Sequence, residues 1–165
     1  MTPHELIQAK IFTPAQLQRS LNLWRFYQKR IVFTNGCFDI LHSGHVHLLS
    51  QAAAFGDILI VGLNADSSVK KLKGDNRPLQ KETTRASVLA SLFYVQAVVL
   101  FEEETPLRLI SAIAPDVLVK GGDYKIETIV GADSVLQRGG KVEIIPLLAG
   151  VSTTSVEEKM LKGKQ

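Results

Sequence analysis

The 165-residue sequence contains a single cysteine, Cys37. One cysteine excludes an intramolecular disulfide framework and any zinc site built mainly from cysteine ligands. Cys37 itself has two interpretations, a catalytic thiol or a small residue within a tight turn. The second is favoured because no neighbouring residue is required to activate the thiol.

Long hydrophobic runs and strong charge are also missing. Apolar runs such as ILIVGL at 58–63 are far shorter than the ~20 residues of a membrane-spanning helix, and no basic-then-apolar signal segment begins the chain. The net charge is only +3, and no basic run is interleaved with aromatic residues. We therefore expect a cytoplasmic protein that binds neither membrane nor nucleic acid. The mild positive bias suits small anionic substrates.

Two common phosphate-binding motifs are absent as well. The sequence has no GxxxxGK[ST] motif, and no two glycines are separated by a single residue, so GxGxxG cannot occur. A nucleotide bound by this protein must therefore be held by a different phosphate-binding motif.

The pattern that is present alternates short apolar runs with helical stretches. Nearly continuous Val, Ile and Leu runs are typical of parallel strands covered on both faces. We predict an α/β fold with a doubly wound five-stranded parallel sheet in a single domain over 1–165, of which 1–29 is an N-terminal helical extension. The predicted strands are 31–34, 57–64, 97–101, 116–122 and 141–147. The predicted helices are 14–28, 44–54, 81–92, 105–114, 131–139 and 152–161, with a polar loop at 65–80.

Polar and backbone-permissive residues follow several of these strands. In an open parallel sheet, ligands bind beyond the carboxyl ends of the strands, where the strand order reverses. This edge is therefore the candidate site. The residues that follow the first, second and fourth predicted strands are Asn35, Gly36, Asp39, Asn64, Asp66, Lys120, Gly121, Asp123 and Tyr124.

The most informative stretch is His42-Ser43-Gly44-His45, just after the first strand. Residues three apart lie on one helical face, and unpaired amides and the helix dipole attract phosphate at a helix start. Gly44 leaves room for a phosphate, and two imidazoles can stabilise the charge that develops during phosphoryl transfer. Two other interpretations stay open: the histidines merely cap the helix, or they bind zinc with Asp39 or His47 as third ligand.

The stretch FTNGCFDILHSGHVHLL resembles the HxGH nucleotidyltransferase superfamily of cytidylyltransferases and adenylyltransferases. Four further motifs, LNADSSVKKLKGDNRP, VLVKGGDY, VGAD and IIPLLAGVSTT, resemble the adenylyltransferase domain of the bacterial heptose pathway. The resemblance covers about 29–154 and implies a Rossmann-like nucleotidyltransferase fold. It also implies the conversion of ATP and D-glycero-β-D-manno-heptose 1-phosphate to ADP-heptose and pyrophosphate, for the lipopolysaccharide core. In many bacteria a sugar kinase precedes this domain, so the chain resembles the stand-alone form.

The resemblance also implies roles for individual residues. His42, His45 and Lys73 are the expected catalytic residues, with His45 nearer the α-phosphate of ATP. Mg²⁺ is expected to accompany the triphosphate, held by phosphate oxygens and water. Residues expected to contact the nucleotide are Thr34, Asn35, Gly36, Phe38, Gly44, His45, Gly121, Asp123, Ser152, Thr153 and Thr154. Residues expected to contact the sugar phosphate are Asp39, Asn64, Asp66, Arg77, Lys120 and Tyr124.

The residues alone leave some of these roles open. Lys73 has the alternative interpretation of a solvated charge on a loop, and Asp123 that of a residue that caps a turn. Arg85 either orients the loop or lies on a helix surface. Two other functions also remain: a cytidylyltransferase for glycerol 3-phosphate or a similar small phosphate, and a non-catalytic nucleotide sensor. Dimers are common among similar proteins, and the N-terminal helix is then a candidate interface.

Overall fold

A computed structural model describes residues 1–148, 150, 153, 156, 157 and 162. Helices and strands alternate along the chain, as the apolar periodicity predicts, except that two helices lie between the third and fourth strands. The strands are β1 (Ile11–Phe12), β2 (Ile31–Gly36), β3 (Ile58–Asn64), β4 (Ala97–Phe101), β5 (Val117–Gly121) and β6 (Lys141–Ile145). The helices are α1 (Pro3–Gln8), α2 (Pro14–Phe26), α3 (Ser43–Ala53), α4 (Asp66–Lys73), α5 (Glu82–Ser91), α6 (Leu107–Ile113) and α7 (Ala132–Gln137).

All the strand pairs are parallel, and the strand order is β1-β4-β3-β2-β5-β6. From β2 the chain builds one half of the sheet through β3 and β4, and then returns to the other side of β2 for β5 and β6. The strand order therefore reverses between β2 and β5, where a ligand cleft is expected in such sheets. This confirms the predicted parallel α/β architecture.

In the part of the chain that the structure describes, the sheet has six strands rather than five. The additional strand, β1, pairs with β4 through Ile11↔Val98 and Phe12↔Val99. Two residues are too few to show a period, so the sequence pattern does not reveal them. The predicted N-terminal helical extension is thus a helix–strand–helix segment. Its longer helix begins as predicted, because Thr13 and Gln16 form a capping box.

Two hydrophobic layers cover the two faces of the sheet. Val32, Val61 and Leu63 pack with Leu49 of α3 and Leu89 of α5 on one face. On the other face, the strand residues Ile31, Phe33 and Ile60 pack against three helices. The helix residues on this face are Leu17 and Leu21 of α2, Ile110 and Ile113 of α6, and Val135 of α7. Each fully buried side chain of this kind contributes about 1.5–3 kcal/mol. Across the described residues, no helix combines the length and hydrophobicity that a membrane crossing requires.

The prediction of a loop over 65–80 is wrong in its first half, because α4 occupies Asp66–Lys73. The segment is polar, yet Ser68 and Val69 are fully buried against the sheet. Asp66 lies in the first turn and Lys70, Lys71 and Lys73 in the last, which suits the helix dipole. The helix matters for the site because it carries Lys73 toward the end of β2.

Candidate active site

The carboxyl ends of β2 and β5 border a cleft with two adjoining cavities, of about 180 and 400 Å³. Asn35, Gly36, Cys37, Leu48 and Gly121 line both. The cleft lies where the strand order reverses, so the polar residues that follow β2 and β5 meet there.

The turn after β2 has a constrained backbone. Phe38 adopts a left-handed conformation with φ of 45°, and its ring packs edge-on against His45. A Cβ atom at Gly36 would lie 3.0 Å from this ring, so the position suits glycine. The turn thereby places Phe38 beneath the helix that follows and supports the His45 ring.

His42 and His45 lie together at the start of α3. Their rings stack with centroids 3.8 Å apart. His42 is the N-cap residue, and its Nδ1 accepts a hydrogen bond from the Gly44 amide at 3.1 Å. In the neutral ring the proton must then lie on Nε2, which leaves Nε2–H as a donor to a ligand. His42 thus caps the helix and also offers a donor, so the two interpretations do not exclude each other.

The amides of the first turn are less available than the sequence suggests. The Gly44 amide donates to the His42 ring, and the His45 amide donates to the His42 carbonyl at 2.9 Å. A phosphate at this helix start therefore meets imidazole rings and the helix dipole, and these two amides are already occupied.

Burial shifts the ionisation of both rings. Burial is the largest cause that lowers the pKa of His45, to about 4, and positive charge on His42 and Lys73 lowers it further. The Ile40 carbonyl acts in the opposite direction, although His45 Nδ1 has no hydrogen bond of normal geometry among the described residues. Burial also lowers the pKa of His42. Both rings are therefore mainly neutral near pH 7 when no ligand is bound.

The smaller cavity contains cationic and hydroxyl groups around His45. Lys73, Thr153 and Asp39 line it together with Phe38. The structure thus brings Lys73 and Thr153 to the histidine that the sequence predicts as their neighbour. Ser152 and Thr154, predicted to act with Thr153, lie outside the described residues.

The larger cavity extends toward the ends of β3 and β4. Lys120 lines it, and its Nζ donates to Asn35 Oδ1 at 2.9 Å. Asn64 and Tyr124 also line it, as the sequence predicts for substrate-contacting residues. This cavity therefore combines one cation with the Glu104 carboxylate and several neutral polar groups.

Arg77 is predicted to bind phosphate, but the structure pairs it with two carboxylates, Asp39 at 3.0 Å and Glu157. Asp39 is only 3% exposed and also accepts hydrogen bonds from the amides of Leu79 and Gln80. Burial alone would raise the pKa of Asp39, yet these hydrogen bonds and Arg77 outweigh it and hold the pKa below its usual range. The pair therefore fastens the β2 turn to the 77–80 loop.

Arg85 is 1% exposed, so it is not the surface arginine that one interpretation of the sequence allows. It donates to the carbonyls of Gln80 and Cys37 and pairs with Asp66 Oδ1 at 2.7 Å. Arg85 thus orients the loops behind the cleft. Asp66, predicted to bind substrate, holds Arg85 instead and lines neither cavity.

Four other predicted residues also line neither cavity: Thr34, Asp123, and His42 and Gly44 at the start of α3. Thr34 is fully buried within β2, where its Oγ1 has no partner among the described residues. Asp123 is exposed and lines neither cavity. Thr34 and Asp123 both lie near the carboxyl end of a strand, where the sequence rule predicts ligand contacts. The rule does not say whether a side chain points into the cleft or away from it.

Neither a reactive thiol nor a metal cage is present in the described part of the chain. Burial raises the pKa of the Cys37 thiol and outweighs the opposing charges of Lys73 and Arg85, so the thiol stays protonated. No group of three His, Cys, Asp or Glu side chains is placed to hold a metal ion among these residues. His47 also lines neither cavity. The tight-turn interpretation of Cys37 is supported, and the zinc interpretation is not.

Sequence reasoning misses several residues that line the cleft. Leu48 lies three residues after His45, on the same helical face, and borders both cavities. Glu104, Thr105 and Pro106 follow β4 and line the larger cavity. The strand-end rule applied to β4 would have found them, whereas Leu48 has the appearance of an ordinary core residue.

Comparison with known proteins agrees with the geometry of the site, because it also points to a nucleotide-binding protein. A family model described as cytidylyltransferase-like matches residues 33–159. The chain is 58% identical over 153 residues to the bifunctional protein HldE of Caulobacter vibrioides. The aligned residues cover 93% of this chain and 32% of that protein. It is 53% identical to HldE of Koribacter versatilis, with 92% and 31% covered. The chain thus spans about a third of the length of these curated relatives.

Solved structures share the fold. A lipopolysaccharide core biosynthesis protein from Thermoplasma volcanium aligns with a TM-score of 0.58 and 27% identity, covering 73% of this chain and 97% of that one. A pantoate-beta-alanine ligase from Francisella tularensis aligns with a TM-score of 0.60 and 16% identity, covering 94% and 78%. At that identity the ligase shows the fold alone.

Proposed function

The chain belongs to the cytidylyltransferase-like family of nucleotidyltransferases, and from that premise we propose that it is an adenylyltransferase for a heptose phosphate. The reaction joins AMP from ATP to D-glycero-β-D-manno-heptose 1-phosphate and releases pyrophosphate. We further propose that residues 1–165 act as one nucleotidyltransferase domain.

The observation that carries this proposal is that His45 and Lys73 both line the smaller cavity, with the His42 ring stacked on His45. Two groups that can carry positive charge or donate hydrogen bonds thus border a space that a phosphate chain can enter, and His42 adds a third next to His45. The described carboxylate on this cavity, Asp39, is already neutralised by Arg77. The cavity therefore favours anions.

In the proposed step, an oxygen of the sugar phosphate attacks the α-phosphorus of ATP. The new P–O bond forms as the bond to the β-phosphate oxygen breaks, and pyrophosphate leaves with that electron pair. A phosphate monoester is already anionic near pH 7, so the step needs no strong general base. Catalysis then depends on positioning and on stabilising the charge that develops.

His45 suits this role because its charge can follow the substrate. Its pKa of about 4 keeps the free ring neutral, and a polyphosphate close to the ring favours the protonated form. Nε2–H of His42 offers a second donor from the same helix start. The pair can therefore gain positive charge as negative charge accumulates between the α- and β-phosphates.

Mg²⁺ enters this proposal as part of the substrate, MgATP. The described residues offer no cluster of three acidic, His or Cys ligands, which is consistent with an ion held mainly by phosphate oxygens and water. When bound, the ion would offset charge on the triphosphate. The protein's own residues supply the imidazoles and Lys73.

The choice of sugar rests on similarity. The HldE relatives match over most of this chain at 53–61% identity, and the similar Thermoplasma structure is titled a lipopolysaccharide core biosynthesis protein. The second candidate is a cytidylyltransferase acting on glycerol 3-phosphate; the description of the family model, cytidylyltransferase-like, favours the CTP part of this candidate and names no acceptor. A non-catalytic sensor would have no need of a histidine pair of which one ring lines the anion-binding cavity.

The test is a matrix of reactions with purified protein and Mg²⁺. ATP or CTP is combined with heptose 1-phosphate or glycerol 3-phosphate, and products are detected by mass spectrometry and pyrophosphate release. ADP-heptose formed faster than every other product supports the proposal. CDP-glycerol as the main product supports the alternative, and nucleotide binding without any product supports a sensor.

A further inference from the structure

A further cavity lies at the amino ends of the strands, opposite the candidate active site. It measures about 620 Å³ and is formed where the chain enters β2, β5 and β6, which are neighbours in the sheet. β2 has six residues and is about 20 Å long, so the length of a strand separates this cavity from the histidines. We call it the basic cavity after the five cationic residues that line it: Arg25, Lys29, Arg30, Arg138 and Lys141.

The positive charge of the protein is concentrated in the basic cavity. Five of the 19 Lys and Arg residues line it, against one of the 16 Asp and Glu residues, Asp116. The other 14 basic and 15 acidic residues nearly balance, so the net charge of +3 arises here. All five cationic residues are exposed and can therefore reach a ligand.

Helix ends compensate part of this charge but not all of it. α2 and α6 end beside the cavity, and Arg138 lies at the C-terminal cap of α7. Each helix C-terminus carries at most roughly half a negative charge. Asp116 supplies one further negative charge, and Asp57, which pairs with Lys29 at 3.5 Å, supplies another. An excess of about 1.5 positive charges therefore remains around the cavity.

Three of the five cations are available to an anion. Arg30, Arg138 and Lys141 form no ion pair with a carboxylate among the described residues. Arg138 donates to the Ser134 hydroxyl, which is neutral and leaves its charge uncompensated. The three residues come from two separate segments of the chain, before β2 and before β6, so they approach the cavity from different directions.

The lining favours negative charge over a nucleobase or an apolar group. The main-chain amides of Arg30, Gly139, Gly140 and Lys141 already donate within the protein, so recognition depends on the cationic side chains. Among the described residues, none that lines the cavity is aromatic, which leaves no surface for base stacking. The volume exceeds that of one phosphate group, and cations around it can contact several phosphate groups at once.

We propose that the basic cavity binds a small polyphosphate anion through Arg30, Arg138 and Lys141. Pyrophosphate and tripolyphosphate belong to this class, because their adjacent phosphate groups place several negative charges on a short chain. The site is separate from the proposed nucleotidyltransferase site, and its ligand does not depend on that activity.

The test is isothermal titration calorimetry with tripolyphosphate. The background variant is His45→Gln/Lys73→Gln, which removes two groups that could bind the same anion in the smaller active-site cavity. Adding Arg138→Gln and Lys141→Gln should weaken tripolyphosphate binding at least about tenfold, the loss expected for charge-assisted hydrogen bonds. Inorganic phosphate should bind the background variant at least about tenfold more weakly than tripolyphosphate.

The matched control adds Arg19→Gln and Lys125→Gln to the same background. It also removes one arginine and one lysine, both exposed, and neither lines the basic cavity or the active-site cavities. Binding of tripolyphosphate should change by less than about twofold. Equal weakening by the two pairs of substitutions, or no binding to the background variant, overturns the inference.

A second measurement uses the unaltered protein, so that it does not depend on the folding of a variant. Addition of tripolyphosphate should shift the NMR amide resonances of Gly139, Gly140 and Lys141, which border the cavity. Unchanged resonances overturn the inference, as does single-stranded RNA that displaces tripolyphosphate from this cavity at a lower phosphate concentration. Shifts at these residues in a protein that forms no nucleotide sugar support the anion site and overturn only the proposed function.

Discussion

The imidazole rings of His42 and His45 stack at the start of α3, with centroids 3.8 Å apart and planes inclined by 23°. The stacking follows from their spacing, because residues three apart on a helix lie one above the other. The stacking places two rings that are both positively charged when protonated in direct contact, beside Lys73. Such a contact disfavours charge in the free protein and favours an anionic ligand.

Replacing His45 with alanine should reduce kcat by ~10²- to 10³-fold, the effect of removing one transition-state donor. His47→Ala is the matched control, because it removes an imidazole from the same helix outside both cavities. Steady-state pyrophosphate release measures both variants. If His45→Ala keeps near-normal turnover, the assigned role is wrong.

Stability should fall as pH decreases from about 6.5 to 4. The pKa of His45 is about 4 in the folded protein and 6.5 for an ordinary histidine, so the unfolded chain binds more protons in this window. The contribution of the neutral His45 ring to the free energy of unfolding is complete above pH 6.5. It amounts to at most about 3 kcal/mol. Urea unfolding at pH 7.5 and 4.5 should show a smaller loss for His45→Gln than for the wild type. Equal losses would contradict a half-buried His45 ring that is neutral in the folded protein.

Arg85→Lys should destabilise the protein by about 3 kcal/mol despite the retained charge. Lysine cannot reproduce the fork that reaches Gln80, Cys37 and Asp66 together, so it leaves buried groups unpaired. Equilibrium urea unfolding measures the change. Arg19→Lys, on the exposed face of α2, serves as the control and should change stability by less than about 0.5 kcal/mol.

Asp39→Asn should cost about 3 kcal/mol, because it leaves Arg77 without its buried partner. Thermal and urea unfolding at pH 7 report the loss, with the exposed Asp75→Asn as control. Turnover should also fall, since the 77–80 loop is no longer fastened to the β2 turn. A variant as stable as the control would show that this ion pair has no structural role.

Cys37→Ala should retain turnover within about threefold, because a half-buried thiol that stays protonated is a poor nucleophile. Iodoacetamide should likewise inactivate the wild type only slowly at pH 7.5. Rapid inactivation together with an inactive Cys37→Ala variant would return the catalytic-thiol interpretation.

Local sequence pattern was sufficient for most of the fold. Apolar runs predict β2 to β6, and Thr13 with Gln16 predicts the start of α2, because strand and cap signals are contained within a few neighbouring residues. The pattern failed for β1, which has two residues, and for α4, where polar composition concealed a helix stabilised by the burial of Val69.

The sequence by itself also determined that two imidazoles share one helix start after the first long strand, since that requires only the i, i+3 spacing. Only the tertiary structure decided which partners the side chains of Arg77, Arg85 and Asp66 bind. Arg77 meets Asp39 across 38 residues, and Arg85 meets Cys37 across 48. Such distant partners are chosen by how the strands and loops pack, which no local spacing records.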